Sequence, residues 1–132
     1  MDLNDKELTE KFLELKLKKT DNRKQFGEVF TPPSLINEML NKLPAEVWKN
    51  KDLKWFDPAV GVGNFMIEVY YRLIDGLVEE IPDLEERKAH IIDNMLYMAE
   101  LNPENVAVCK ELGFKNIYEG DTLNMPNNYF FL

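Results

Sequence analysis

The run Asp57-Pro58-Ala59-Val60-Gly61-Val62-Gly63-Asn64-Phe65 follows a short apolar stretch around Trp55 and Phe56 and opens a long amphipathic segment. Two glycines at a strand-to-helix turn let the backbone approach a ligand closely, and an acid at the strand's end offers an acceptor to a cationic or hydroxylated group. A glycine pair in this place also serves a turn that merely packs a helix onto a sheet, so the run alone leaves both readings open.

Working outward, the pattern predicts a strand over Leu53 to Asp57 and a helix from Asn64 to about Ile81, with Phe65, Ile67, Val69, Tyr70, Leu73, Leu77 and Val78 on its apolar face. Gly76 weakens that helix and Pro82 ends it. A shorter helix over Leu84 to Asp93 leads to a strand at Met95 to Leu101. Asn102-Pro103 caps a further helix carrying Val106, Cys109 and Leu112 and stopped by Gly113, and a third strand spans Asn116 to Glu119. Upstream, Thr31 as cap and Pro32 as first helical residue start a helix that runs to about Leu43 and buries Leu35, Ile36, Met39, Leu40 and Leu43. Pro44 ends it, and residues 45–52 form a connection. Residues 5–20 read as an appended helix with Leu8, Phe12 and Leu15 on one side. Helices alternating with strands predict an α/β fold, a parallel sheet with right-handed crossovers.

In such a sheet ligands bind outside the carboxyl ends of the strands. Asp57, Glu100 and Asp121 stand at the ends of three successive predicted strands. Each alone reads as a helix cap or turn residue; the recurrence at three strand ends points to a ligand rich in hydrogen-bond donors.

Four segments fall in one order: Gly27-Glu28-Val29-Phe30-Thr31-Pro32-Pro33, the Asp57 to Phe65 run, Tyr97-Met98-Ala99-Glu100-Leu101-Asn102-Pro103, and Glu119-Gly120-Asp121-Thr122. Together they resemble the first half of an S-adenosylmethionine-dependent DNA adenine-N6 methyltransferase of restriction-modification type, and the Glu28 to Pro32 string is also similar to relatives in large DNA viruses. The resemblance covers Gly27 to Thr122 and implies a Rossmann-like methyltransferase fold, partial here and preceded by an N-terminal helical segment. It divides the chain into a helical arm over residues 1–26 and a cofactor-binding domain over 27–132.

The family's pattern, carried over, implies that Asp57, Pro58, Ala59, Gly61, Gly63 and Phe65 lie along the methionine part of S-adenosylmethionine. Glu100 matches the acid that bridges the ribose hydroxyls, and Asp121 the acid that accepts from the adenine amino group. Leu101 and Thr122 flank the adenine ring, and Phe30, Thr31 and Pro32 belong to the segment that holds the methionine carboxylate, which suits helix-start N–H groups. The cofactor's ammonium, hydroxyls and amino group all donate hydrogen bonds, and its sulfonium repels cations, so acidic strand ends suit it.

Two positions depart from the pattern. Val60 stands where a small or sulfur-bearing residue is usual, and Val62 where Ser or Thr is usual, which predicts a reshaped, weaker pocket. The Asn/Asp-Pro-Pro-aromatic tetrad that grips the extruded adenine in this family is absent, since the one Pro-Pro, Pro32-Pro33, follows Thr31 and precedes Ser34. No catalytic residue is therefore assigned within the chain, and the resemblance implies a protein cut short or split before the tetrad, meeting DNA through a missing C-terminal part or a partner chain. The alternative is a non-catalytic S-adenosylmethionine-binding or interaction subunit, associating through a sheet edge that missing strands leave open. A nicotinamide-dependent dehydrogenase fits less well, because Gly61-Val62-Gly63 lacks the third glycine and leaves the Phe-Thr-Pro segment without a role.

Bulk properties set limits. At 132 residues the chain is one domain by length, and its net charge of −8 opposes binding to a polyanion. Residues 1–30 carry seven acids and seven bases, the remainder seventeen acids and nine bases, so no basic stripe emerges. One cysteine and one histidine, Cys109 and His90, assemble neither a disulfide nor a Cys/His zinc site, and no metal ligands are assigned. Cys109 reads as core packing and His90 as an ordinary helix residue. No stretch reaches the roughly 18 apolar residues of a membrane span, and no secretory leader is visible, which predicts a cytoplasmic protein, or one of host cytoplasm or nucleus if viral.

Overall fold

The computed structural model describes Thr9 and residues 31–130. The predicted helical arm and Phe30 therefore lie outside the described residues, except that Thr9 is helical and buried. The elements in order are α1 (Pro33–Leu40), a 3-10 turn (Ala45–Lys49), β1 (Trp55–Asp57), α2 (Asn64–Gly76), α3 (Leu84–Asn94), β2 (Leu96–Glu100), α4 (Pro103–Leu112), β3 (Asn116–Glu119) and a 3-10 turn (Thr122–Asn124). This is a mixed α/β chain around a parallel sheet, as expected.

The three strands pair in the order β1-β2-β3. Phe56 sits opposite Tyr97, Asp57 opposite Met98, and Glu100 opposite Glu119. Because side chains alternate along a strand, Leu96, Met98 and Ile117 point to one face and Phe56, Tyr97 and Tyr118 to the other. The first set joins the main core with Met66, Ile67, Val69 and Leu73 of α2 and Val106, Cys109 and Leu112 of α4. The second meets the end of the described chain, where Phe130 packs edge-on against Phe56 and Tyr97, and Tyr129 against Tyr118. Cys109 is wholly buried, as predicted, and His90 is a helix residue whose Nε2 hydrogen-bonds the Lys51 carbonyl at 2.8 Å.

Local chemistry sets the helix ends. Asp83 caps α3 by accepting from Glu86 N at 2.9 Å, and Asn102 caps α4 by accepting from Glu104 N at 3.0 Å with Pro103 following. Gly113 closes α4 in the left-handed conformation, φ 113°.

Three expectations need correction. The cap of α1 is Pro32, not Thr31, with no side-chain cap bond, and Pro33 is the first helical residue. A residue before proline is driven from the helical region, and Pro32 accordingly sits at ψ 151°. Helix α1 ends at Leu40 and buries only Ile36 and Leu40, while Leu35, Met39 and Leu43 are 44%, 46% and 39% exposed. It meets α2 along a narrow i, i+4 stripe, so the broader apolar face is only partly covered.

Helix α2 stops at Gly76 rather than near Ile81. A Cβ at Gly76 would overlap the Trp48 carbonyl, so this residue lets the 3-10 turn lie directly against the helix. Gly76→Ala therefore sets about 1 kcal/mol of helix propensity in favour of alanine against overpacking that costs about 1–3 kcal/mol. The clash is with backbone and cannot be relieved by a rotamer change, so a lower urea midpoint is expected; an unchanged midpoint would show that the turn shifts freely.

Candidate functional site

The site is assembled at the carboxyl ends of the strands, around the turn from β1 into α2. Gly61 and Gly63 hold φ of 61° and 96°, which side chains resist. Their surroundings differ. A Cβ at Gly63 would press on Phe114, Cys109 and Leu112, so that glycine serves packing, whereas a Cβ at Gly61 would meet nothing within 4 Å, so that glycine fronts open space. Val60 N donates to the Ala99 carbonyl at 3.0 Å, clipping the turn to β2. Val60 and Val62 are both buried in the core, so the two positions that depart from the family pattern pack inward.

The three acids occupy different environments. Asp57 is half-buried at the end of β1, and its carboxylate accepts from Ala59 N at 3.0 Å. Burial raises its pKa above the ordinary value, against the lowering effect of that bond. Glu100 is 4% exposed, and both its oxygens are engaged: Oε1 accepts from Gly61 N at 2.9 Å, Oε2 from Asn102 N at 2.9 Å and Asn105 Nδ2 at 3.3 Å. Asp121 is exposed just beyond β3 and accepts from Leu123 N at 3.0 Å.

Hydrogen bonds draw the three loops together. Gly120 N donates to the Glu100 carbonyl at 2.8 Å, and the Thr122 hydroxyl donates to the Pro58 carbonyl at 2.5 Å. Cys109 Sγ donates to the Gly61 carbonyl at 3.4 Å. Burial, reinforced by the charges of Glu100 and Asp57, pushes the Cys109 thiol far above its ordinary pKa, which keeps it a protonated donor. Asp57, Pro58 and Phe65 line a cavity of about 250 Å³ with Trp55, Phe56 and Met66. Leu101, directly after Glu100, is half exposed.

Ala59, Gly61, Gly63, Glu100, Asp121 and Thr122 thus belong to one bonded cluster of loops. Thr31 and Pro32 lie at the start of α1, where the Pro32 carbonyl accepts from Leu35 N and Ile36 N. Sequence reasoning missed Asn105, whose amide helps hold Glu100. The signal was there, because Asn105 lies beside Val106 on the inward side of α4, where a buried amide requires a partner.

The set of carboxylate acceptors suits a cofactor that is cationic and rich in donors. Neither the glycine run nor the Glu100 to Asn102 and Gly120 to Thr122 loops contain Lys or Arg. The open space before Gly61 is the kind of cradle in which a ligand approaches backbone. Glu100 fits less simply, since three protein donors already share its four lone-pair sites.

A family model described as N-6 DNA methylase matches residues 6–128. The chain is also similar to an uncharacterized adenine-specific methylase of Mycoplasma pneumoniae, 45% identical over 73 residues, which are 53% of this chain and 17% of that protein. The chain thus matches a small part of its relative's length. Among the described residues no helix is long and apolar enough to cross a membrane.

The raised Asp57 pKa has a definite sign. The unfolded carboxyl ionises near 3.8, and the folded one ionises higher. As pH climbs through this window the unfolded chain releases its proton first, so stability falls and the whole penalty stands at neutral pH. Asp57→Asn keeps an acceptor for Ala59 N and removes the charge. It is expected to raise the thermal midpoint at neutral pH, with the gain vanishing below pH 3.8; a gain independent of pH would show that burial of the charge is not its cause.

Proposed function

This chain belongs to the N-6 DNA methylase family, and we propose that it forms the part of such an enzyme that binds S-adenosylmethionine as methyl donor to adenine N6. The observation that carries this reading is the joining of three acid-bearing loops at one end of a parallel sheet around a glycine that fronts open space. That is where open α/β sheets take their ligands.

Within this reading Asp57 and the backbone of Ala59, Gly61 and Gly63 lie along the methionine part, with Pro58 and Phe65 walling the adjoining cavity. Asp121 accepts from the adenine amino group, and Leu101 and Thr122 flank the ring. Glu100 has two duties. Its grip on Gly61 N sets the turn's shape, and its carboxylate faces the ribose hydroxyls. The start of α1, with Thr31 and Pro32, takes the carboxylate, and Phe30 belongs to the same segment. When bound, the cofactor supplies an electrophilic methyl group; the chain's own residues bind and orient it, and none of the three acid-bearing loops carries a Lys or Arg to oppose the sulfonium.

Residues 27–132 form the cofactor domain and residues 1–26 an arm. Adenine capture and DNA contact are assigned to a part carrying the missing tetrad, on the same polypeptide or a partner. The acidic balance of this chain accords with that division. A second reading, a non-catalytic interaction subunit, draws on the unpaired edge of β1 among the described residues and on Phe56, which is 45% exposed.

Calorimetric titration with S-adenosylmethionine tests the proposal. Wild-type protein is expected to bind, and Asp121→Ala, whose side chain is exposed, to keep its fold and lose about tenfold to a hundredfold in affinity, the worth of a charge-assisted hydrogen bond. Methylation of adenine-containing DNA by the 132 residues alone is expected to be undetectable. A well-folded wild type that gives no heat would overturn the cofactor reading and favour the interaction subunit, and methylation by this chain alone would overturn the division of labour.

A further inference from the structure

Helix α1 carries the proposed carboxylate-binding segment at its start, yet only Ile36 and Leu40 of its eight residues are buried. Two apolar side chains on a short helix leave rotation about its axis weakly opposed. The polar contacts of the helix converge on one side chain. Arg72 of α2 donates through Nη2 to the Asn41 Oδ1 at 2.8 Å, the Asn37 Oδ1 at 3.1 Å and the Asn37 carbonyl at 3.3 Å. Asn37 in turn donates from Nδ2 to the Pro33 carbonyl at 3.0 Å, which reaches the first turn of α1.

The same guanidinium lies 5.4 Å from the ring centroid of Trp48, and Trp48 stacks on Trp55 of β1 with centroids 4.8 Å apart. Trp48 is itself held by the close approach of its carbonyl to Gly76 of α2. Trp55 stands two residues before Asp57 and lines the same cavity. A continuous series of contacts therefore runs from the start of α1 through Asn37, Arg72, Trp48 and Trp55 to the acid that opens the glycine turn. Arginine suits the central place because its planar fork holds several acceptors while its face lies on an aromatic ring, which an ammonium cannot do at once.

We propose that Arg72 is a positioning residue for the cofactor's amino-acid part: it fixes α1 relative to β1, and so sets where the carboxylate is held. The inference rests on the proposed cofactor reading. It predicts a selective effect, because the adenosine part is held by loops that Arg72 does not touch.

The test compares two ligands on the full chain by calorimetry: S-adenosylmethionine, and 5′-methylthioadenosine, which lacks the amino-acid group. Arg72→Met keeps a stem against Trp48 and removes every donor. It is expected to weaken S-adenosylmethionine binding about tenfold, the effect of losing one net hydrogen-bonded contact, and to leave 5′-methylthioadenosine binding unchanged, with Arg72→Lys recovering part of the loss. Asn41→Ala, a milder change at the exposed end of α1, is expected to act in the same direction and serves if Arg72→Met does not fold. Equal weakening of both ligands, or no weakening of either, in folded variants overturns the positioning role. Failure of the wild type to bind either ligand overturns the cofactor reading itself, and this inference with it.

Discussion

The buried carboxylate of Glu100 is the constraint on which the rest of the site depends. Its two oxygens join the glycine turn, the start of α4 and the end of β2 in one set of bonds. Carboxylate suits the place, since it offers acceptors and Gly61 N, Asn102 N and Asn105 Nδ2 offer N–H donors. A neutral side chain of the same size could not serve all three. The turn's shape, the registration of α4 and the direction in which Gly61 faces are thereby tied to a single side chain.

Much of this arrangement was legible in the sequence because the signals are local. Pro103 and Gly113 bracket α4 by conformational rules that act within a few residues, and the third strand falls where the spacing puts it. The start of α1 was misread by one residue, as two consecutive prolines compete for the same place and the restraint of Pro33 on Pro32 decides. The buried face of α1 was overestimated, because periodicity reports which residues share a side and not how much of that side a neighbour covers.

The series from Asn37 through Arg72 to Trp55 was not legible at all. It joins residues up to thirty-five positions apart, and no short motif encodes it. The engagement of Glu100 was hidden for a similar reason. A strand-end acid is visible in sequence, but whether it faces inward to backbone donors or outward to a ligand depends on the fold of the turn that meets it. Asp57 shows the complementary case, an acid whose burial is opposed by a single backbone bond and which therefore holds its charge at a cost in stability. Such a cost is commonly retained where a charge has work to do.

The strand order β1-β2-β3 also bears on how the chain acquires its shape. Each strand pairs with the one made just before it, so no segment must wait for a distant partner before it can dock. A nascent chain emerging from the ribosome can lay down β1 and α2, close β2 upon them, and then add α4 and β3, in the order of translation. The residues furthest along the described chain supply the contacts of Thr122 with Pro58 and of Tyr129 and Phe130 with the second face of the sheet. In that order the ligand end is closed over a hydrophobic layer that earlier elements have already laid down.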